Sequence, residues 1–170
     1  MIDIDNPDLH VSARRLNARA EVRDIRLLKS AVEMEELPDG STALAYDLNS
    51  FPEVQHSPGE TFFVVQISYD LEIFSQSNNP EHEATGEQLA QRTTVAHVQF
   101  TLAALFTLSL RASDSTPSDE ELEAYSSTTA QLMLYPYARE YVYDVTGRLG
   151  LPSLTLGMLK MTATSGKSSD

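Results

Sequence analysis

The sequence predicts an α+β fold, with an antiparallel sheet of long strands first and one principal helix near the C-terminus. Three observations carry this. Apolar residues recur at every second position through much of residues 16–110. Helical spacing first arises at Ser118 and persists to Thr146. No long helical pattern separates the strand-like runs, so a parallel sheet has no crossover helices to build from. A chain of 170 residues is long enough for one domain with a sizeable core.

The first strand signal is RLNARAEV, where Leu16, Ala18, Ala20 and Val22 oppose Asn17, Arg19, Glu21 and Arg23. Ile25 and Leu27 then take the other parity. An extra residue near Asp24, as in a bulge, or a strand ending and restarting there reconciles the halves. KSAVEMEE continues more weakly, and PDG at 38–40 marks a turn. STALAYDL alternates through Thr42, Leu44, Tyr46 and Leu48, whereas the two prolines and glycine of NSFPEVQHSPG predict a loop over 49–59.

Residues 60–74 form the clearest strand. Phe63, Val65, Ile67, Tyr69, Leu71 and Ile73 share one face, and Gln66, Ser68, Asp70 and Glu72 much of the other. SQSNNPEHEATGEQ is polar and reads as a connection. Val98, Phe100, Leu102, Ala104, Phe106, Leu108 and Leu110 then repeat the signal over 93–111.

Ser118 and Glu121 stand at capping-box spacing, and acids at 119–121 suit a helix N-terminus. Leu122, Tyr125, Thr129, Leu132 and Met133 mark a buried stripe, resumed by Tyr137, Tyr141 and Val145 with Ala138 and Val142 beside them. Pro136 lacks an amide donor and predicts a kink or break, with Gly147 as the stop. LGLPSLTLGML at 149–159 reads as an extended apolar crossover. Residues 1–11 and 160–170 are expected to be flexible, leaving 12–159 as the folded domain. One helix covers only part of such a sheet, so apolar surface remains and self-association is expected.

Composition narrows the function. Twelve basic residues against 25 acidic give a formal charge of −13, which repels nucleic acid. The apolar run LAALFTLSL is too short to span a bilayer, and MIDIDNPDLH lacks the pattern of a secretory signal. The absence of cysteine excludes thiolate chemistry and is compatible with a cytoplasmic address. His10, His56, His82 and His97 form no metal-ligand spacing, Asp70 and Glu72 read as a solvated strand face, and no nucleophile elbow or phosphate-binding loop occurs. No enzymatic activity and no cofactor are expected.

The most informative stretch is LYPYAREYVYDVTGRLGLPSLTLGML, which resembles the C-terminal signature of the SecB family of protein-export chaperones. Tyr135, Pro136, Tyr137, Ala138, Arg139 and Glu140 match the family's aromatic-Pro-Tyr-Ala-Arg-Glu core. Pro152, Leu154 and Leu156 match its P-x-L-x-L crossover. VRDI at 22–25 and ALFTLS at 104–109 resemble its first and last strands more thinly. The resemblance implies a four-stranded antiparallel sheet covered on one face by the long helix, and a homotetramer built as a dimer of dimers. It also implies ATP-independent holding of unfolded clients in apolar grooves.

By that resemblance, Phe62, Phe74, Tyr143, Leu151, Leu154 and Leu156 are candidate client contacts. Tyr125, Leu132, Tyr135, Pro136, Tyr137 and Tyr141 are candidates for packing and oligomer contacts. Asp24 matches one acid of the patch that engages the SecA motor, whereas His97 and Gln99 stand where the family has a leucine and a glutamate. The exporters' second helix has no counterpart in LKMTATSGKSSD. A divergent SecB-like branch protects antitoxins of toxin–antitoxin systems, which is the other client class expected. A dedicated assembly protein that binds one folded partner is the alternative function.

Overall fold

The computed structural model of the chain describes residues 7–38, 43–77, 91–109 and 116–159. The expected tail at 160–170, Leu110 and most of the 75–88 connection lie outside the described residues, as do Asp39 and Gly40 of the PDG turn. The elements run α1 (Pro7–Asn17), β1 (Ala20–Met34), β2 (Leu44–Gln55), β3 (Phe62–Ser77), β4 (Gln91–Leu108), α2 (Asp119–Tyr125) and α3 (Gln131–Arg148). The strands form one antiparallel sheet in the order β1-β4-β3-β2, as the α+β reading expected.

Two expectations fail at the start of the chain. Leu16 is not in a strand: α1 occupies residues 7–17, so residues 7–11 are helical too. Proline suits the first helical position, and Ala13 and Leu16, one turn apart, are both buried. β1 begins only at Ala20 and neither breaks nor shifts parity at Asp24. Odd-numbered side chains keep one face: Arg23 donates to Thr107 Oγ1, and Lys29 lines a depression with Gln99 and Thr101. Leu27 therefore stands on the open side and is half exposed.

β2 runs on to Gln55, through the segment expected to be a loop. It is an edge strand, where Pro52 has no ladder partner to lose on its open side. The central β3 matches its expected pattern, with Phe63, Val65, Ile67, Tyr69, Leu71 and Ile73 all buried. β4 contains an irregularity that alternation alone hides. Thr94 and Arg92 bond Glu72, whereas His97 and Thr101 bond Asp70 and Ser68, so the outward parity changes between 94 and 97. Val95 and Ala96 between them are both buried, and the amides of Glu35 and Glu36 both donate to the Val95 carbonyl. This is a β-bulge.

Contacts group the described residues into two compact units. The described parts of Met1–Arg26, Pro52–Ile67 and Leu102–Asp170 make one, and those of Leu27–Phe51 and Ser68–Thr101 the other. In the first, α1 packs on α2, and Phe63 stacks on Phe106 with the Tyr125 ring edge-on to both. In the second, Tyr69 stacks on Phe100.

Candidate functional site

The helical end of the first unit is built from its caps inward. Ser118 Oγ accepts from the Glu121 amide, while the Ser118 amide donates to Glu121 Oε2, so the predicted capping box is formed. α2 then passes into one π-helical turn, Ser126–Ala130. Its hydroxyls turn back on the backbone: Ser126 Oγ donates to the Glu123 carbonyl and Thr128 Oγ1 to that of Ala124. A π turn inserts one residue into the helical count, so every later side chain is rotated by about one position. The buried stripe consequently runs Ala130, Leu134, Ala138, Val142 and Thr146, not through Leu132 and Tyr137. Leu132 and Tyr137 are half exposed instead.

Pro136 sits inside α3 without ending it. Pro136 and Leu132 are both exposed, so the Leu132 carbonyl that loses its donor faces water. The helix passes through Gly147, the expected stop, and ends at Arg148. Gly150, with φ +74°, follows the cap residue Leu149. Its amide bonds the Gly147 carbonyl, and the Leu151 amide bonds that of Thr146, a complete Schellman closure.

The crossover then turns back along α3. The buried Thr146 hydroxyl donates to the Val142 carbonyl and accepts from the Leu154 amide at 2.9 Å. Farther along, the Tyr135 hydroxyl donates to the Gly157 carbonyl at 2.6 Å. Leu151 and Leu156 are buried and Leu154 half-buried, whereas Pro152, Ser153, Thr155, Gly157 and Met158 face solvent.

The candidate client contacts are thus brought together only in part. Leu151, Leu154 and Leu156 line up along the crossover, and Tyr143 lies exposed on α3. Phe62 stands on the sheet face opposite Phe63, hence away from Tyr125, and is 40% exposed. Phe74 belongs to the other unit, where the Arg92 guanidinium covers its ring at 3.6 Å. Of the packing candidates, Tyr125 is fully buried, Tyr135 and Tyr141 are half-buried, and Leu132, Pro136 and Tyr137 are exposed within the single chain. Burial pushes the Tyr125 phenol up to about 12.

A groove of about 420 Å³ in the first unit was not foreseen. Pro52–Gln55 of β2 line it together with Glu123, Ser126 and Ser127. Continuation of β2 past Pro52 creates one wall and the π turn the other, and neither leaves a periodic signal.

The acids on the polar sheet face of the second unit have partners within the chain. Arg92 bridges Asp47 and Glu72, Thr94 also donates to Glu72, and His97 pairs with Asp70. The Asp47 hydrogen bond, ahead of Glu72, pushes the Arg92 pKa up. His97 is thus engaged within its own chain. Asp24 lies in the first unit, 2.5 Å from Arg26. Among the described residues no cluster of His, Cys, Asp or Glu could hold a metal ion, and no helix is long and apolar enough to cross a membrane.

No family model matches the sequence. Two curated relatives from Mycobacterium tuberculosis do: the SecB-like chaperone Rv1957 of strain H37Rv and the SecB-like chaperone MT2006 of strain CDC 1551. Each is 43% identical over 158 residues, covering 92% of this chain and 87% of the relative. A solved structure of M. tuberculosis Rv1957, in complex with a ChAD peptide from the Rv1956 HigA1 antitoxin, superposes with a TM-score of 0.75 at 42% identity. That match covers 89% of this chain and 99% of the other. With a layered sheet and helix of the same kind and identity at this level over nearly the whole length, the chain belongs to the SecB-like chaperone family.

Proposed function

We propose that this protein is an ATP-independent holdase that keeps a non-native antitoxin segment from aggregating until its toxin is neutralised. The observation that carries this reading is the antitoxin peptide bound to a relative of 42% identity with the same fold. The surface chemistry supports it. Tyr143, Phe62 and Leu154 offer apolar area with few geometric demands, which suits an extended client held without a unique register. Leu151 and Leu156 shape the wall behind them. The charge of −13 keeps a chain that carries such surface in solution.

Export through SecA is less well supported. Asp24 is paired with Arg26, and Asp70 and Glu72 are engaged by His97, Arg92 and Thr94. Self-association into a homotetramer is part of the proposal. β1, an edge strand among the described residues with Leu27 and Leu28 half exposed, provides one contact, and Leu132 and Tyr137 on α3 the other. Cytoplasm is the compartment in which antitoxins are made and held.

The test is direct binding of the HigA1 ChAD peptide by fluorescence anisotropy without nucleotide, with suppression of antitoxin aggregation measured by light scattering. Binding in the micromolar range or tighter, together with suppressed scattering, is expected. A chain that leaves both signals unchanged is not an antitoxin holdase. Light scattering coupled to size exclusion reads the tetramer independently.

A further inference from the structure

We propose that the polar sheet face of the second unit docks an extended segment of a partner polypeptide that carries one carboxylate and, four residues along, an apolar side chain. Lys29 and Gln99 take the carboxylate, and Phe51 takes the apolar group. The proposal does not depend on the holdase reading, because none of these residues belongs to the unit that holds the helices and the crossover.

The site is a depression of about 220 Å³, lined by Lys29 of β1 and Phe51 of β2, with Gln99 and Thr101 of β4 and Ser68 and Asp70 of β3 between them. All of these residues lie in the second unit. Pockets that enclose a small molecule measure about 300–1,000 Å³. This depression is smaller and fits one stretch of a larger partner laid across it.

Hydrogen-bonding capacity decides the chemistry of that partner. Lys29 is exposed and forms no ion pair among the described residues, unlike Arg92 on the same face, which bridges Asp47 and Glu72. Gln99 is exposed as well and adds two amide donors. Ser68 Oγ and Thr101 Oγ1 bond each other at 3.0 Å, which uses one hydroxyl proton and leaves the other to donate. The carboxylate in the depression, Asp70, is engaged by His97. The surface therefore calls for a ligand that accepts. The formal charge of −13 disfavours a strongly acidic partner at long range, so a single carboxylate with neutral neighbours suits it best. The strands of Lys29 and Asp70 are two spacings apart, about 10 Å, so a carboxylate on Lys29 does not crowd Asp70.

Spacing sets the motif. In the order β1-β4-β3-β2, Lys29 and Phe51 stand on strands three spacings apart, about 14 Å. An extended peptide crossing the strands turns every second side chain to the sheet at steps of about 6.8 Å. Residues i and i+4 thus meet the two rims, and i+2 lies over the hydroxyl pair. Phe51 is 56% exposed and offers its ring to the apolar residue. Outward side chains stand roughly perpendicular to the sheet, so pairing of β1 with a second copy leaves this face open.

The test is a double-mutant cycle on the full chain, read by fluorescence anisotropy of an amidated peptide EASAF labelled through an N-terminal glycine spacer, and of its counterparts QASAF and EASFA. Lys29→Gln should weaken EASAF about 2- to 5-fold, the range an exposed ion pair supports, and leave QASAF unchanged, with Lys29→Arg recovering most of the loss. Phe51→Ala should weaken EASAF about 2- to 10-fold, as loss of one aromatic pair allows. EASFA, whose ring turns to the other side of the extended chain, should bind the wild-type protein more weakly than EASAF. Both substituted positions are exposed, and circular dichroism reports that the variants are folded. No anisotropy change of EASAF with the wild-type chain, equal losses of EASAF and QASAF in Lys29→Gln, or an unchanged affinity in Phe51→Ala overturns the docking site. Equal binding of EASFA and EASAF overturns the spacing on which it is built.

Discussion

Tyr125 offers the sharpest test of how the helical layer is held. Its ring is 1% exposed and stands edge-on to Phe63 at 5.5 Å and to Phe106 at 5.3 Å, while those two rings stack at 5.0 Å. Truncating a buried aromatic to alanine costs about 3–5 kcal/mol. Two edge-to-face pairs, at about 0.5–1.5 kcal/mol each beyond area, place Tyr125→Ala in the upper half of that range. Tyr125→Phe removes only a hydroxyl whose acceptor is Met133 Sδ at 3.8 Å, a weak partner, so its cost is about 1 kcal/mol or less. Urea unfolding followed by circular dichroism, at constant m, measures both. If alanine costs less than about 2 kcal/mol, the ring cluster does not anchor α2, given the usual range for such truncations. If phenylalanine costs as much as alanine, the hydroxyl matters and the ring does not. Alkaline pH supplies a second limb. Burial raises the phenol to about 12, so the folded state favours the neutral form. The associated stability is fully present below the unfolded value of about 10 and is lost as pH rises from there through the folded value. Tyr125→Phe lacks that loss, so the small wild-type advantage should shrink and then reverse across this window.

Three further outcomes follow from the caps and the helix path. Ser118→Ala removes the hydroxyl that accepts from the Glu121 amide and leaves the backbone half of the box, and should cost about 1 kcal/mol in urea unfolding; no change would mean that the Glu121 carboxylate, with Arg19 at 3.8 Å, holds this end. Pro136→Ala should leave helical content unchanged and stability equal or higher, because α3 already runs through this exposed position; a loss beyond about 1 kcal/mol would show that the ring packs on something. Thr146→Val leaves the Leu154 amide without its acceptor and should cost about 1–3 kcal/mol, with Thr146→Ser recovering most of it; equal losses would point to the methyl group instead.

Much of this architecture was legible because sheet alternation and capping chemistry are local. The buried face of β3, the capping box at Ser118 and the family signature at 135–156 all stand as read. The misreadings share one cause, an insertion or boundary that changes phase without changing composition. Ala13 and Leu16 fit a helix turn, yet Leu16, Ala18, Ala20 and Val22 fit a strand as well, and contact with α2 settles the matter. Pro52 looked like a loop marker because a proline is foreign to a central strand, and sequence does not say that β2 lies at an edge. Leu132 and Tyr137 were placed on the buried stripe by 3.6-residue counting, which the π turn at Ser126–Ala130 advances by one residue.

The sequence by itself determined the sheet-then-helix order, the apolar faces of the central strands, the start of α2 and membership of a chaperone family, since each follows from periodicity, hydrogen-bonding side chains near their own backbone, or a continuous motif. Tertiary structure alone decided which tyrosines are buried, that Phe62 faces away from Tyr125, that Leu156 is covered, and that the acids of the second unit's sheet face are already paired. Those outcomes depend on single-residue shifts in a helix or strand and on charges brought together from distant strands. A linear chain carries no record of either until packing selects one register.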